Sequence, residues 1–246
     1  MSPGAGVSRR QFLALGWLPG WFPWFRPNHI SLAGARFRIL RNGRSRRRYV
    51  RIHGNEEAAR QVLERHMLTH AGLAYVIDSQ VRLTNVESLK LDPNRMFSRV
   101  GAEANLKALN PGVAEDRLRG ALDLLDRGRE KLVRALTPPQ GGALIAVHNN
   151  GPGYSVADEA PISDRTSLRE PGNPHAFFLC TDPADFETLK TSPYNTVLQH
   201  RAPPRDDGSL SRLAAARGFR YVNLEVGVGH PERQNEMLNW LDWFLP

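Results

Sequence analysis

Two periods of hydrophobic and polar positions alternate along most of this chain. Residues 143–147, Ala-Leu-Ile-Ala-Val, form a continuous apolar run, and 176–180, Ala-Phe-Phe-Leu-Cys, form a second. Short runs without polar alternation predict strands covered on both faces. Leu73-Ala74-Tyr75-Val76-Ile77 and the segment 219–224 predict two more. Between them the period changes. Ala59, Val62, Leu63 and Met67 recur at helical spacing and predict a helix over 56–69. Leu118, Leu122, Leu125, Leu132 and Leu136 mark one stripe of a helix over 113–136, ended by Pro138-Pro139-Gln140-Gly141-Gly142. A helix over 207–217 is closed by Gly218, and an amphipathic helix over 231–244 opens on Pro231. Nearer the start, Arg36-Phe37-Arg38-Ile39-Leu40-Arg41 alternates like a strand. Asn42-Gly43 is a hairpin turn signal, so Tyr49-Val50-Arg51-Ile52 is expected to return beside it. Residues 154–174 carry neither period and predict a polar loop beside a site. The alternation predicts a single α/β domain, a mixed and mostly parallel sheet with helices on both faces.

Composition narrows the class. At 246 residues, with 41% hydrophobic and 24% charged, the chain is long enough and apolar enough to bury a core. Its one cysteine, Cys180, excludes an internal disulfide framework and any multi-cysteine metal site. No apolar run approaches the roughly eighteen residues of a transmembrane helix. Lys+Arg 33 against Asp+Glu 25 gives a net charge of +8, with arginines 36, 38, 41, 44, 46, 47, 48 and 51 crowded together. The strip reads as the solvated face of a hairpin, or as a weak contact for an anionic envelope polymer. No helix-turn-helix, zinc finger or aromatic RNA-binding motif accompanies it, so no specific nucleic acid is expected.

The first thirty-five residues have a pattern of their own. Ser8-Arg9-Arg10-Gln11-Phe12-Leu13 is similar to a twin-arginine export signal, no acidic residue occurs in 1–35, and Ala33-Gly34-Ala35 is a small-x-small cleavage motif. The expected division is a signal over 1–35 and an α/β domain over 36–246, exported to the periplasm or beyond. Loss of Arg9, Arg10 and Arg26 would bring the charge of +8 to +5.

Candidate chemistry sits where predicted strands end, the place where α/β sheets put ligands. His53-Gly54-Asn55-Glu56 joins a strand to a helix, and a histidine and carboxylate three residues apart can hold one metal ion. His148 ends the most apolar strand and can add a third ligand. Glu225 follows Tyr221-Val222-Asn223-Leu224 beside Gly227 and Gly229, and a carboxylate so placed can act as general base. In Asp92-Pro93-Asn94-Arg95-Met96-Phe97 a guanidinium and an amide can clamp a carboxylate. Tyr154 opens the polar loop and can reach the same place. His66 and His70, four residues apart on the predicted helix, have no third ligand nearby in sequence and read as surface or partly buried positions.

In order and spacing these motifs resemble the zinc carboxypeptidase clan, and within it the succinylglutamate desuccinylase/aspartoacylase branch. The resemblance is concentrated at His53-Gly54-Asn55-Glu56 and Asp92-Pro93-Asn94-Arg95-Met96-Phe97 and runs from Ile52 to about Gly229. It implies one zinc ion held by His53, Glu56 and His148, Glu225 as acid and base, and Asn94 with Arg95 as the carboxylate clamp. It also implies an arginine shortly before that clamp, for which Arg82 and Lys90 are the nearby cations. The expected activity is hydrolysis of an amide or peptide bond next to a free carboxylate, on an envelope or imported peptide. The alternatives are an N-acyl-amino-acid deacylase of the cytosolic type and a non-catalytic binding protein on the same fold. The sequence does not indicate an oligomeric state.

Overall fold

The structure is a computed structural model and describes residues 28–201 and 205–245. In chain order it runs β1 (His29–Leu32), β2 (Ala35–Asn42), β3 (Arg48–Arg51), α1 (Glu57–Thr69), β4 (Gly72–Ile77), β5 (Thr84–Val86), β6 (Leu89–Leu91), α2 (Arg99–Leu109) and α3 (Glu115–Leu136). It continues β7 (Leu144–Asn150), α4 (Val156–Glu159), β8 (Arg165–Ser167), β9 (Phe177–Cys180), α5 (Pro183–Leu189), β10 (Asn195–Leu198), α6 (Leu210–Arg217), β11 (Tyr221–Gly227) and α7 (Pro231–Phe244). Among the described residues nine strands form one mixed sheet in the order β1-β2-β4-β3-β7-β11-β9-β10-β8. The block β4-β3-β7-β11 is parallel throughout, and antiparallel pairs gather toward both edges. No helix among these residues is long and apolar enough to cross a membrane.

The unbroken apolar runs follow from this layering. Leu144 and Ala146 of β7 face a core shared with α2, α3 and α6, while Ile145 and Val147 face a second core shared with α1, α5 and α7. A strand alternates its side chains, so a strand covered on both sides needs apolar residues at every position. The expected single α/β domain with helices on both faces is what forms. The helix expected over 113–136 is α3, and Gly218, at φ +67, closes α6 in the left-handed conformation that glycine adopts without penalty.

Two expectations are corrected. Residues 36–41 and 49–52 do not form a hairpin. β4 lies between β2 and β3, antiparallel to the first and parallel to the second. The Asn42-Gly43 signal is local, and it is overridden because β3 belongs at the centre of the sheet, where Tyr49, Val50 and Arg51 are all buried. In this part of the sheet the hairpin joins β1 to β2 instead, through Ala33-Gly34. The arginine strip is therefore not one solvated face. Arg38 pairs with Glu64, Arg47 with Asp242, Arg48 bonds the carbonyl of Ala135 at the end of α3, and Arg51 is 0% exposed.

The β1–β2 hairpin bears on the division expected after residue 35. Leu32 is 1% exposed in the core, and the tripeptide Ala33-Gly34-Ala35 forms the hairpin turn and the start of β2. The arginine pair at 9–10 lies outside the described residues.

Candidate active site

Three parallel strands deliver the site at their carboxyl ends. β3 runs into His53, β7 carries His148, and β11 carries Glu225 directly opposite His148 in register. The turn that presents His53 and Glu56 is held from below by Arg51. Its Nε donates to the Glu56 carbonyl at 3.0 Å, Nη1 to the Ile77 carbonyl at 3.3 Å, and Nη2 to the Gly54 carbonyl. Gly54 is required there, since a Cβ would lie 2.4 Å from the Val81 carbonyl oxygen.

Glu56 is also the residue preceding α1, and its carboxylate makes no capping bond among the described residues. It points to the histidines instead. The donor at the third helical position, the buried Ala59 N–H, is taken by Asn149 Oδ1 at 2.8 Å. Asn149 Nδ2 donates to Gln234 Oε1 at 3.1 Å, and Gln234 Nε2 donates to the His148 carbonyl at 2.8 Å. A cap supplied from another strand thus ties α1, β7 and α7 together. Asn149→Ala is expected to lower stability by about 2 kcal/mol, the size of a lost helix cap in a buried setting. Urea unfolding measures it, and a change below about 0.5 kcal/mol would show that α1 does not depend on this bond.

His53, Glu56 and His148 converge as a group that could hold a metal ion, with one ligand atom from each lying within 4.8 Å of the others. His53 Nδ1 is 2.7 Å from Glu56 Oε1, and His148 Nδ1 is 3.2 Å from Glu56 Oε2. All three side chains are buried. The cluster does not satisfy itself: Glu56 Oε2 and His148 Nε2 are buried without hydrogen-bond partners among the described residues. Unpartnered donor atoms of this kind, on two imidazoles and a carboxylate, fit a divalent cation. Asp92 completes the arrangement. Its Oδ1 lies 2.9 Å from His53 Nε2, the outer carboxylate that fixes the tautomer and orientation of a ligating histidine. Burial alone would lower the pKa of His53, but hydrogen bonds to Asp92 and Glu56 hold it up at about 9. Burial would raise that of Glu56, but His148 and then His53 hold its carboxyl down at about 2.

These residues open on a cavity of about 420 Å³, which Arg82, Asn94, Arg95, Tyr154, Arg212 and Glu225 also line. Glu225 is buried, and its two oxygens accept from Asn223 Nδ2 at 3.0 Å and Asn150 Nδ2 at 3.2 Å. Burial pushes its carboxyl up; His148 opposes this and Glu56 adds to it. Arg95 reaches the cavity, half committed to Asp207 at 3.5 Å. Asn94 is there too, but its Oδ1 accepts from Leu210 N–H at 3.1 Å, so that oxygen holds the start of α6. Tyr154 lines the wall with its hydroxyl donating to Glu159 Oε1 at 2.6 Å. Of the two cations considered before the Asn-Arg pair, Arg82 is in the wall, donating to Asp92 Oδ2 at 3.1 Å, and Lys90 stands exposed outside it.

The sequence reading missed Asp92, Asn149 and Arg212. Asp92 stood inside a motif already singled out, and the preference of ligating histidines for an outer carboxylate was a usable signal. Arg212 had none beyond its place in the first turn of α6. Of the two histidines expected at surface or partly buried positions, His70 is partly buried, but His66 is only 2% exposed, and both imidazoles face Asp242 of α7.

No protein-family model matches the chain. No curated protein matches it either. Among solved structures it is similar to the product-bound ectoine utilization protein EutE (DoeB) from Ruegeria pomeroyi, with a TM-score of 0.46 and 14% identity over 85% of this chain and 60% of that one. The chain thus spans about three fifths of the length of that protein. It is also similar to a candidate metallopeptidase from Shewanella baltica OS155, with a TM-score of 0.45 and 13% identity over 85% of this chain and 81% of that one. For a candidate metallopeptidase from Shewanella amazonensis SB2B the values are 0.42 and 11%, over 87% and 85%.

Proposed function

We propose that the chain is a zinc-dependent hydrolase that cleaves an amide or peptide bond next to a free carboxylate. The observation that carries the reading is the convergence of His53, Glu56 and His148, with buried unpartnered donor atoms, beside the buried carboxylate of Glu225. A divalent cation held by those three side chains supplies Lewis acidity, polarising a carbonyl and acidifying water. Glu225, fixed by two asparagine amides, takes a proton from water and returns it to the leaving nitrogen. Arg82, at the rim, is placed to stabilise negative charge on the scissile oxygen. Arg95 holds the free carboxylate and so fixes the scissile bond in the cavity.

The chain carries its own example of such a carboxylate. Asp207 lies between two guanidinium groups, 3.5 Å from Arg95 Nη1 and 4.0 Å from Arg212 Nε. A substrate carboxylate taking that position exchanges one ion pair for another, at little net electrostatic expense. Arg95→Ala is therefore expected to reduce kcat/KM on substrates with a free carboxylate by about tenfold to a hundredfold, the scale of one charge-assisted hydrogen bond. The same substrates with that carboxylate amidated are expected to change less than about twofold. Equal losses on both would make Arg95 structural. The reading itself is tested by peptides and N-acyl amino acids supplied with zinc. Release of the amine, abolished by chelation, supports it; binding without turnover favours the binding protein.

The arginine pair at 9–10 supports an envelope or imported peptide as the substrate, with the protein acting outside the cytoplasm. Cleavage after Ala35 would remove β1 and its buried Leu32 from the sheet. Any processing is therefore assigned to a position before His29, which N-terminal sequencing of the secreted form reads directly.

A further inference from the structure

We propose that His66, His70 and Asp242 form a second divalent-cation site, separate from the cavity, which staples the end of α1 to the end of α7. None of the three lines the cavity. His66 is ten residues beyond Glu56, which at the rise of an α-helix is about 15 Å away.

His66 stands in the last turn of α1, and His70 is the residue that follows the helix, four positions on. Their rings are stacked, with centroids 4.0 Å apart and planes 3° from parallel, so both imidazoles point the same way. Asp242 Oδ2 receives them, 2.7 Å from His66 Nε2 and 3.7 Å from His70 Nε2. These distances bracket the roughly 3.3 Å between ligand atoms of a tetrahedral ion with bonds of about 2.0 Å. At 2.7 Å the contact is also that of an ion pair, and Asp242 Oδ2 is buried among the atoms without a hydrogen-bond partner within the described residues.

The surroundings set the ligand atoms. His70 Nδ1 is 3.2 Å from the His66 carbonyl oxygen and 2.9 Å from Thr69 Oγ1; in the tautomer that gives its proton to the carbonyl, the lone pair is on Nε2, toward Asp242. Asp242 Oδ1 accepts from the Tyr49 hydroxyl at 3.0 Å and from the Arg47 guanidinium, so the carboxylate is locked with Oδ2 presented. Arg47 also donates to the carbonyls of Asp242 and Leu245 and fixes the end of α7. The Asp242 side chain is only 5% exposed, whereas that of His70 is 36% exposed, which gives an ion and a water molecule their access.

The test is equilibrium dialysis of the full chain against buffered free zinc, followed by elemental mass spectrometry. The parent is expected to hold two zinc ions per chain, His70→Ala one, His148→Ala one, and the double variant none. His70 is chosen because it is partly exposed and its removal leaves the core intact. Zinc is also expected to raise the Tm of His148→Ala and not that of the double variant. A His70→Ala protein that holds as many ions as the parent overturns the proposal, leaving a plain His66–Asp242 ion pair. The outcome is independent of the cavity: a parent with one ion, lost in His70→Ala and kept in His148→Ala, supports this site and sinks the hydrolase reading.

Discussion

Glu225→Gln is expected to lower turnover by about a thousandfold, inside the range for removing a positioned general base, with metal content and Tm unchanged. The substitution is nearly isosteric, so its effect depends on whether the pocket can accept an amide. Glu225 Oε1 and Oε2 each accept from an asparagine, and a glutamine has a donor in place of one of them. Asn223 can answer this. Its Oδ1 is buried without a partner, and its Nδ2 donates to Glu225. Turning that amide over presents Oδ1 to the new donor, whereas Asn150 is held by its second bond to the His175 carbonyl at 2.8 Å. Stability should therefore change by less than about 1 kcal/mol. A large fall in kcat with zinc retained then measures proton transfer alone. Turnover within about tenfold of the parent would remove Glu225 from the mechanism.

The second large effect concerns stability. Arg51→Met should destabilise the fold by about 4 kcal/mol. Methionine fills much of the volume but removes a donor from the carbonyls of Gly54, Glu56 and Ile77, of which Glu56 keeps the Arg60 N–H at 3.1 Å. A buried acceptor left unsatisfied costs about 1–3 kcal/mol. For a chain of this size that lowers Tm by about 10 °C. Zinc affinity should fall as well, because two of the freed carbonyls belong to the turn that presents His53 and Glu56. Thermal unfolding with and without zinc separates the two effects. A Tm within about 2 °C of the parent would mean that the turn holds itself.

Arg51 also shows where sequence reading stops. It stood among seven other arginines, and nothing in that neighbourhood marks one of them as the support of a buried turn. What could be read was local: the continuous apolar run of β7, the leucine stripe of α3, the proline that opens α7, and the histidines and carboxylates at strand ends. What could not be read depends on partners far along the chain. The insertion of β4 between β2 and β3 defeats a correct reading of Asn42-Gly43 as turn-forming. α2 buries mainly the small residues Gly101 and Ala102 with Leu106, and leaves Val100 exposed, so its apolar stripe is faint. β10 is wholly buried although it begins Asn195-Thr196, because Asn195 bonds the backbone of residues 170, 173 and 176. Asp242 lies 172 residues from His70, and no spacing rule joins them.

The cap supplied by Asn149 has a consequence for how this site can change. A ligand that also capped its helix would be bound by two requirements, and any replacement would have to start a helix as well as hold an ion. Here helix initiation is delegated to β7, and position 56 answers only to coordination. Histidine or cysteine at that position should leave α1 in place while shifting the preference among metals. The centre can be retuned by one substitution at position 56, because the side chain there and the side chain that caps its helix come from different segments of the chain.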